Sequence, residues 1–475
     1  MEQSNNITVA NLNGDTICAV ATPAGQGAIA VIRVSGAGAF GICDTIFSAA
    51  NRSRAIATAP AGSVIFGNIA DNGKIIDEVL VTLFRAPHSY TGENSVEISC
   101  HGSSFIRQQI ISLLIDKGCR MAMPGEFTQR AFLNGKMDLA QAEAVADIIA
   151  AESAAAHKLA LSQLKGGFSS ELNRLRTGLL DFASLIELEL DFSEEDVEFA
   201  DRTQLYRLIE HIETVTRKLT DSFSTGNALK NGIPVAIVGE TNVGKSTLLN
   251  RLLNEERAIV SDIHGTTRDT IEEVMTLGGV QFRFIDTAGI RDTRDKIESL
   301  GIERTFHKME QATIVLPVLD STREPDELAG FTADMIAKTE GKQRIFIINK
   351  ADLLSAEKQE RIAQLPALAG ERYCFLSAKY GQGYNTLLQA LIDAANIPEI
   401  SSEDITVTNI RHFEALRNAH EAILRVIAGL TSGLSGDFLS QDIREAIYHL
   451  GSITGGSITN DEILGNIFSK FCIGK

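Results

Sequence analysis

Two rhythms of apolar residues divide the chain. Up to about residue 130 they alternate in short runs, each with the period of a strand. Such runs are Thr16-Ile17-Cys18-Ala19-Val20, Ile29 to Val34, Ser63 to Asn68, Glu78 to Phe84 and Ser95 to Cys100. A turn is expected at Pro23-Ala24-Gly25-Gln26-Gly27 and a helix over Phe105 to Ile115. From Leu139 the spacing changes to three and four, and Leu172, Leu175, Leu179, Phe182 and Ile186 form one continuous helical stripe. Phe413, Leu416, Ile423, Ile427 and Leu430 revive that spacing. Between the helical stretches lie compact apolar runs fit for buried strands: Val235 to Val238, Val280 to Ile285, Ile345 to Ile348 and Tyr373 to Leu376. The pattern predicts a multidomain chain. An α+β domain spans 1–130, an all-α helical domain comes in two parts, 131–230 and 398–475, and an α/β domain is inserted over 231–397. The junctions fall near Gly226 and Gly232 and at Asn396-Ile397-Pro398.

The inserted domain carries the chemistry. Gly239-Glu240-Thr241-Asn242-Val243-Gly244-Lys245-Ser246-Thr247 joins the first of those strands to the amphipathic run Leu248 to Leu253. Glycine, four residues, then Gly-Lys-Ser is the spacing of a phosphate cradle. Backbone N–H groups converge on the phosphates, Lys245 adds charge, Ser246 can hold Mg2+, and the helix N-terminus adds its dipole. A second strand ends in Asp286-Thr287-Ala288-Gly289, a carboxylate placed to meet Mg2+ through water and a glycine able to approach a γ-phosphate. Between them His264-Gly265-Thr266-Thr267-Arg268-Asp269 offers a threonine that could complete the Mg2+ shell as a switch, with Ser261, Asp262 and Ile263 just before it. A third strand ends in Asn349-Lys350-Ala351-Asp352, where the Asp352 carboxylate can accept from N1–H and the 2-amino group of guanine, a pair that adenine lacks. Ser377-Ala378-Lys379 follows the fourth strand as a further loop on the base side. These elements in this order resemble a translation-factor-type GTPase domain.

Composition narrows the setting. The chain has 475 residues, 44% of them hydrophobic, which is enough for several cores. No apolar run approaches the ~18 residues of a membrane span and Met1 to Asn6 has no leader character, so no membrane is expected and the cytoplasm is the default. Six cysteines are scattered without a Cys-x-x-Cys pair, which argues against zinc and against a disulfide framework. A net charge of −17 argues against a broad nucleic-acid surface, so any RNA contact must be local or shared with a partner. The acidic run Asp191-Phe192-Ser193-Glu194-Glu195-Asp196 reads as a solvated helix end or loop before it reads as a metal site. Arg33 and Glu97 sit inside strand patterns, where an outward-facing side chain is the plain expectation.

The terminal stretch Ile467-Phe468-Ser469-Lys470-Phe471-Cys472-Ile473-Gly474-Lys475 adds a closer resemblance. With it stand Ala21-Thr22-Pro23, Arg33-Val34-Ser35-Gly36, Ser89-Tyr90-Thr91-Gly92-Glu93, Pro124-Gly125-Glu126-Phe127-Thr128, Arg130-Ala131-Phe132-Leu133-Asn134 and Leu139-Ala140-Gln141-Ala142-Glu143-Ala144. Together they resemble the family of tRNA uridine-modification GTPases called MnmE or TrmE. The resemblance implies an N-terminal α+β folate-binding domain that helps form a homodimer, a central helical domain and an inserted P-loop GTPase domain. It also implies a flavoprotein partner of the MnmG type, joined in a heterotetramer or larger complex. With that partner the family adds a folate-derived aminomethyl-type group to C5 of the wobble uridine of certain tRNAs. The reduced folate would be 5,10-methylene-tetrahydrofolate or 5-formyl-tetrahydrofolate, held by Arg33, Glu97, Lys136 and Lys475.

The resemblance extends to hydrolysis. Many small GTPases place a glutamine directly after the Asp-x-x-Gly loop, and here that place holds Ile290. The family counterpart is a K+ ion held by Asn242, Thr266 and the backbone of Ser261 and Ile263. Mg2+ would then rest on Ser246 and Thr267, and Glu298 would position or polarise water. Catalysis would therefore rest on Lys245, Asn242 and Glu298. Cys472 stays open between a nucleophilic thiol and a structural or folate-packing role. One departure is Glu240-Thr241, where relatives more often carry a basic residue and proline. Two other functions compete: a GTPase switch assisting ribosome assembly, which a basic RNA-binding tail would favour, and a stand-alone folate aminomethyltransferase.

Overall fold

The structure is a computed structural model, and it describes residues 14–51, 55–191, 202–255, 273–285, 309–396, 405–432, 434, 436–457, 461–469 and 471–474. Among the described residues thirteen strands form two sheets. The first contains β1 (Ile17–Val20), β2 (Ile29–Ser35), β3 (Phe47–Ala49), β4 (Val64–Asp71), β5 (Lys74–Phe84), β6 (Ser95–His101) and β7 (Arg120–Met121), in the order β3-β4-β5-β6-β2-β1-β7. The pairs are antiparallel except β1 with β7. Its inner face alternates into a core of Ile32, Val34, Val79, Val81, Val96 and Ile98, covered by the helices Ala39–Ile46 and Ser104–Asp116. The expected strands and the Phe105 helix are all present. The first of those helices and the short β3 and β7 are additions, too brief to declare a period in the sequence.

The second sheet contains β8 (Ile233–Val238), β9 (Glu273–Leu277), β10 (Val280–Phe284), β11 (Ile314–Asp320), β12 (Gln343–Asn349) and β13 (Arg372–Leu376) in the order β13-β12-β11-β8-β10-β9. It is parallel except for the hairpin of β9 with β10, which turns on Gly278 and Gly279, both at positive φ. Successive residues of β8 feed opposite cores. Val235 and Ile237 pack towards the helices Lys245–Glu255 and Tyr384–Ala395, while Ala236 and Val238 pack towards Pro325–Lys338 and Ala356–Ala363. Helices on both faces leave the C-terminal strand ends as the open edge for a ligand.

The chain falls into two compact units, 1–149 with 163–213 and 418–475, and 150–162 with 214–417. The first holds the seven-stranded sheet and the second the six-stranded sheet, and the helices are shared between them. In the first unit Gly167–Asp191 packs closely on Gly436–Thr454. Its stripe is buried at Leu172, Leu175, Leu179 and Ile186, with Ala183 taking the deeper place beside a half-buried Phe182. Residues 192–196 of the acidic run lie outside the described residues. Gly226, expected near a junction, lies within the helix Arg202–Asn231, where a β-carbon would collide with the Val407 carbonyl. Gly232, at φ +84°, does end that helix ahead of β8. Among the described residues no helix is long and apolar enough to cross a membrane.

Candidate functional site

The phosphate loop takes its shape from three positive-φ residues: Gly239 (+153°), Asn242 (+63°) and Gly244 (+100°). Two of them are glycine for reasons of space as well. A β-carbon on Gly239 would sit 2.5 Å from the Val318 carbonyl, and one on Gly244 would collide with the Asn349 amide. Asn242 is exposed on the loop, Val243 is buried, Ser246 is half-buried and Thr247 is exposed. Lys245 folds back so that Nζ donates to the carbonyls of Gly239 and Glu240, 2.6 Å each. The Glu240-Thr241 departure also finds its physical context. The Glu240 carboxylate pairs with the Arg323 guanidinium, which follows β11.

Asn349 ties the loops together. Its Nδ2 donates to the Val243 carbonyl at 2.7 Å, and its Oδ1 accepts from the Ala378 N–H at 3.0 Å, with the residue only 3% exposed. The phosphate loop, the Asn349-Lys350 loop and the Ser377-Ala378-Lys379 loop therefore meet on one side-chain amide. Arg251, on the helix that leaves the phosphate loop, reinforces this from below by donating to the carbonyls of Ala378 and Lys379. Asp352 lies exposed in the short turn Ala351–Leu353, and Lys379 is exposed beside the Tyr380 ring. Lys350 adopts φ +64° and its ammonium reaches Asp320 at 2.6 Å. Burial works to raise the Asp320 carboxyl, but the bonds from Lys350 and Thr322 outweigh it and hold that group below the usual carboxylate range. Ser261, Asp262, Ile263, His264, Gly265, Thr266, Thr267, Asp286, Thr287, Ala288, Gly289 and Glu298 lie outside the described residues.

A second polar centre lies on the N-terminal sheet. Arg33 and Glu97 are cross-strand partners in the β2–β6 register and form an ion pair at 2.8 Å, each about one-quarter exposed. They are not the two independent outward side chains that the strand pattern suggested. Both Nε and Nη2 of Arg33 engage Oε1 of Glu97. The guanidinium also lies 5.2 Å from the Tyr90 ring centre and 5.7 Å from that of Phe127. Lys136 donates to the Pro87 carbonyl at 3.0 Å. Below them Glu126 is fully buried between Arg120 and Arg130, and Arg130 also reaches Glu93. Burial works to raise the Glu126 carboxyl, but Arg120, the Met123 N–H and Arg130 together hold it below the usual range.

The C-terminal stretch reaches the same centre. Phe468 packs with Leu139, Ala142 and Leu464, and the Cys472 carbonyl accepts from the Gly125 N–H at 3.3 Å. Gly474 runs so close to the Val20 carbonyl that a β-carbon would collide with it. Cys472 is exposed, whereas the other five cysteines are buried. Lys475 lies outside the described residues. The sequence reading missed Asp320, Ser321, Arg323 and Arg251 around the nucleotide loops, and Tyr90, Phe127, Glu126 and Arg130 as contacts around Arg33. The unused signals were a second acid at a strand end and the aromatic and charged residues inside the N-terminal motifs.

Known proteins share these features along the chain. A family model described as the MnmE helical domain matches residues 139–472, and one described as the GTP-binding protein TrmE N-terminus matches 16–136. The tRNA modification GTPase MnmE of Bacteroides thetaiotaomicron is 57% identical over 467 residues, covering 98% of this chain and 100% of the relative. That of Bacteroides fragilis is 58% identical with the same coverage. The protein of the same description from Flavobacterium johnsoniae is 52% identical over 467 residues, again 98% and 100%.

Proposed function

This chain belongs to the MnmE family of tRNA modification GTPases, and from that premise we propose that it is a potassium-activated GTPase acting on the wobble uridine of tRNA. It works with an MnmG-type flavoprotein, which holds the flavin and the NADH, as a homodimer in a larger complex in the cytoplasm. The domain bounds proposed are 1–130, 131–230 with 398–475, and 231–397. The observation that carries the GTP reading is the Asn349 amide, which holds the phosphate loop and two base-side loops at one point. Asp352 at the edge of that assembly reads the guanine, and Lys245 exchanges its carbonyl partners for the β- and γ-phosphates.

The residues suit the ions proposed. Ser246 opens the helix behind the phosphate loop, and with Thr267 it gives the hydroxyl ligands that Mg2+ accepts. Asn242 is exposed on the loop and offers a carboxamide oxygen, the hard neutral donor that K+ prefers, with Ser261, Ile263 and Thr266 completing the set. A cation bound there would supply positive charge against the transferring phosphate, an effect worth roughly 10³–10⁵ in rate where an arginine supplies it. Glu298 orients the attacking water. In the N-terminal domain the Arg33–Glu97 pair, flanked by Tyr90 and Phe127, suits a reduced folate, which supplies the carbon unit. Arg33 Nη1 and Glu97 Oε2 make no further hydrogen bond among the described residues and are the atoms offered to it. The exposed Phe66 and Leu80, cross-strand partners on the outer face of the same sheet, support a homodimer through that domain.

GTP turnover by the full chain in potassium against sodium tests the cation. Hydrolysis should be fast in potassium and slow in sodium, and Asn242→Ala should lose that difference while keeping nucleotide affinity. Equal rates in the two salts would end the cation mechanism. Nucleoside analysis of tRNA from a deletion strain tests the substrate, and an unchanged wobble-uridine profile would refute it.

A further inference from the structure

The turn that follows β11, Asp320-Ser321-Thr322-Arg323, has no part in the nucleotide loops as sequence motifs define them, yet it grips the base-side loop from two directions. Asp320 divides its carboxylate. Oδ1 accepts from the Thr322 N–H at 3.0 Å and from the Thr322 hydroxyl at 2.7 Å, which fixes the side chain, and Oδ2 takes the Lys350 ammonium at 2.6 Å. With its side chain only 14% exposed, Asp320 is a shielded partner and the bond is charge-assisted. Ser321 is fully buried and works on the backbone. Its N–H donates to the Asn349 carbonyl at 3.0 Å and its hydroxyl to the Lys350 carbonyl, also at 3.0 Å. Lys350 sits at φ +64°, a conformation that a lysine keeps only where its surroundings hold it. The same turn reaches the phosphate loop through Arg323 and Glu240, but that pair is nearly half exposed and contributes little.

We infer that Asp320 and Ser321 are positioning residues for guanine recognition: they set the Asn349-Lys350 backbone and the Lys350 side chain, and through them aim Asp352 at the base. The inference rests on reading this edge as a GTP site. Asp352 faces both N1–H and the 2-amino group of guanine, so a displaced loop loses two bonds to guanine but only one to hypoxanthine, which has no 2-amino group. Loosening the turn therefore lowers affinity and narrows the preference for guanine over hypoxanthine.

The test uses the full chain and fluorescent GDP and inosine diphosphate. Asp320→Asn keeps an acceptor for Thr322 and removes the charge opposite Lys350. It should weaken GDP roughly tenfold, the scale of one charge-assisted hydrogen bond, and weaken inosine diphosphate less, so the affinity ratio falls. KM for GTP should rise while kcat at saturation stays, because the phosphate-loop contacts are untouched. A merely structural role would lower the folded fraction and leave the ratio alone. Ser321→Ala should move the ratio in the same direction, and it decides the matter if Asp320→Asn does not fold. Adding Lys350→Met to Asp320→Asn should cost little more than either alone. An unchanged ratio in the folded variants, or full additivity, overturns the inference. If the unaltered protein itself binds the two diphosphates equally, the GTP reading of this edge fails instead.

Discussion

Replacing Asn349 by alanine should unstitch three loops with one cut. The amide is 3% exposed, donates to Val243 and accepts from Ala378, so the substitution strands a buried carbonyl and a buried N–H. Each such orphan costs about 1–3 kcal/mol, and the two together about 2–6 kcal/mol. Against a total stability of roughly 5–15 kcal/mol, that places the nucleotide-binding unit close to unfolding in the absence of ligand. Asn349→Asp separates the two bonds. One oxygen still accepts from Ala378, but the other faces the Val243 carbonyl and brings a charge into a buried place, so this variant should be less stable than the alanine one. The chain has no tryptophan, so urea unfolding of the nucleotide-free protein is best followed by circular dichroism. A loss below about 0.5 kcal/mol for alanine, the size of an ordinary surface change, would refute the account. So would an aspartate variant milder than the alanine one.

Other outcomes follow from the same contacts. Asp352→Asn should weaken GTP and favour xanthosine triphosphate, whose 2-oxo group suits the new amide; an unchanged preference in competition binding would show that another loop reads the base. Gly244→Ala should abolish nucleotide binding in equilibrium titrations, because its β-carbon drives the Asn349 amide away from Val243. Glu97→Ala should weaken a reduced folate in calorimetry by about 2 kcal/mol, the cost of a lost charged partner, and equal affinity would remove Glu97 from the site. The lowered Glu126 carboxyl contributes stability that is fully present above its ordinary value of 4.5 and is lost as the pH falls through its lower folded value. Thermal melts should therefore drop in acid, and Glu126→Gln should flatten that slope; an equal slope would show that other carboxylates govern it.

Local chemistry made the phosphate loop and Asn349-Lys350-Ala351-Asp352 legible, because each is a short run whose residue types state their own geometry. β11 was not legible. Pro317 interrupts its apolar run and argues against a central strand, yet the β11–β12 ladder passes over Leu316 and Pro317 and resumes at Val318. Asp320 and Ser321 shared its fate, since their partners lie some thirty residues on and meet them only when β11 and β12 align. Arg33 and Glu97 were visible as charged residues in strands. That they neutralise each other depends on the β2–β6 register over 64 residues, which no local pattern encodes. The partner of Glu240 stayed out of sight for the same reason, its arginine lying far along the chain.

The contact of Gly125 with Phe468 and Cys472 carries a consequence for synthesis. A β-carbon at Gly125 would lie 2.6 Å from the Phe468 carbonyl, and the Gly125 N–H bonds to Cys472, so this corner of the first unit is finished by chain made about 340 residues later. At roughly 5–20 residues per second a ribosome needs on the order of tens of seconds to supply it. The seven-stranded sheet can pair its own strands in that interval, but the turn before Glu126 waits without its lid, and Arg33, Tyr90 and Phe127 lie beside that opening. A nascent chain stalled before residue 468 would thus carry the sheet with Gly125 still lacking its contacts to Phe468 and Cys472.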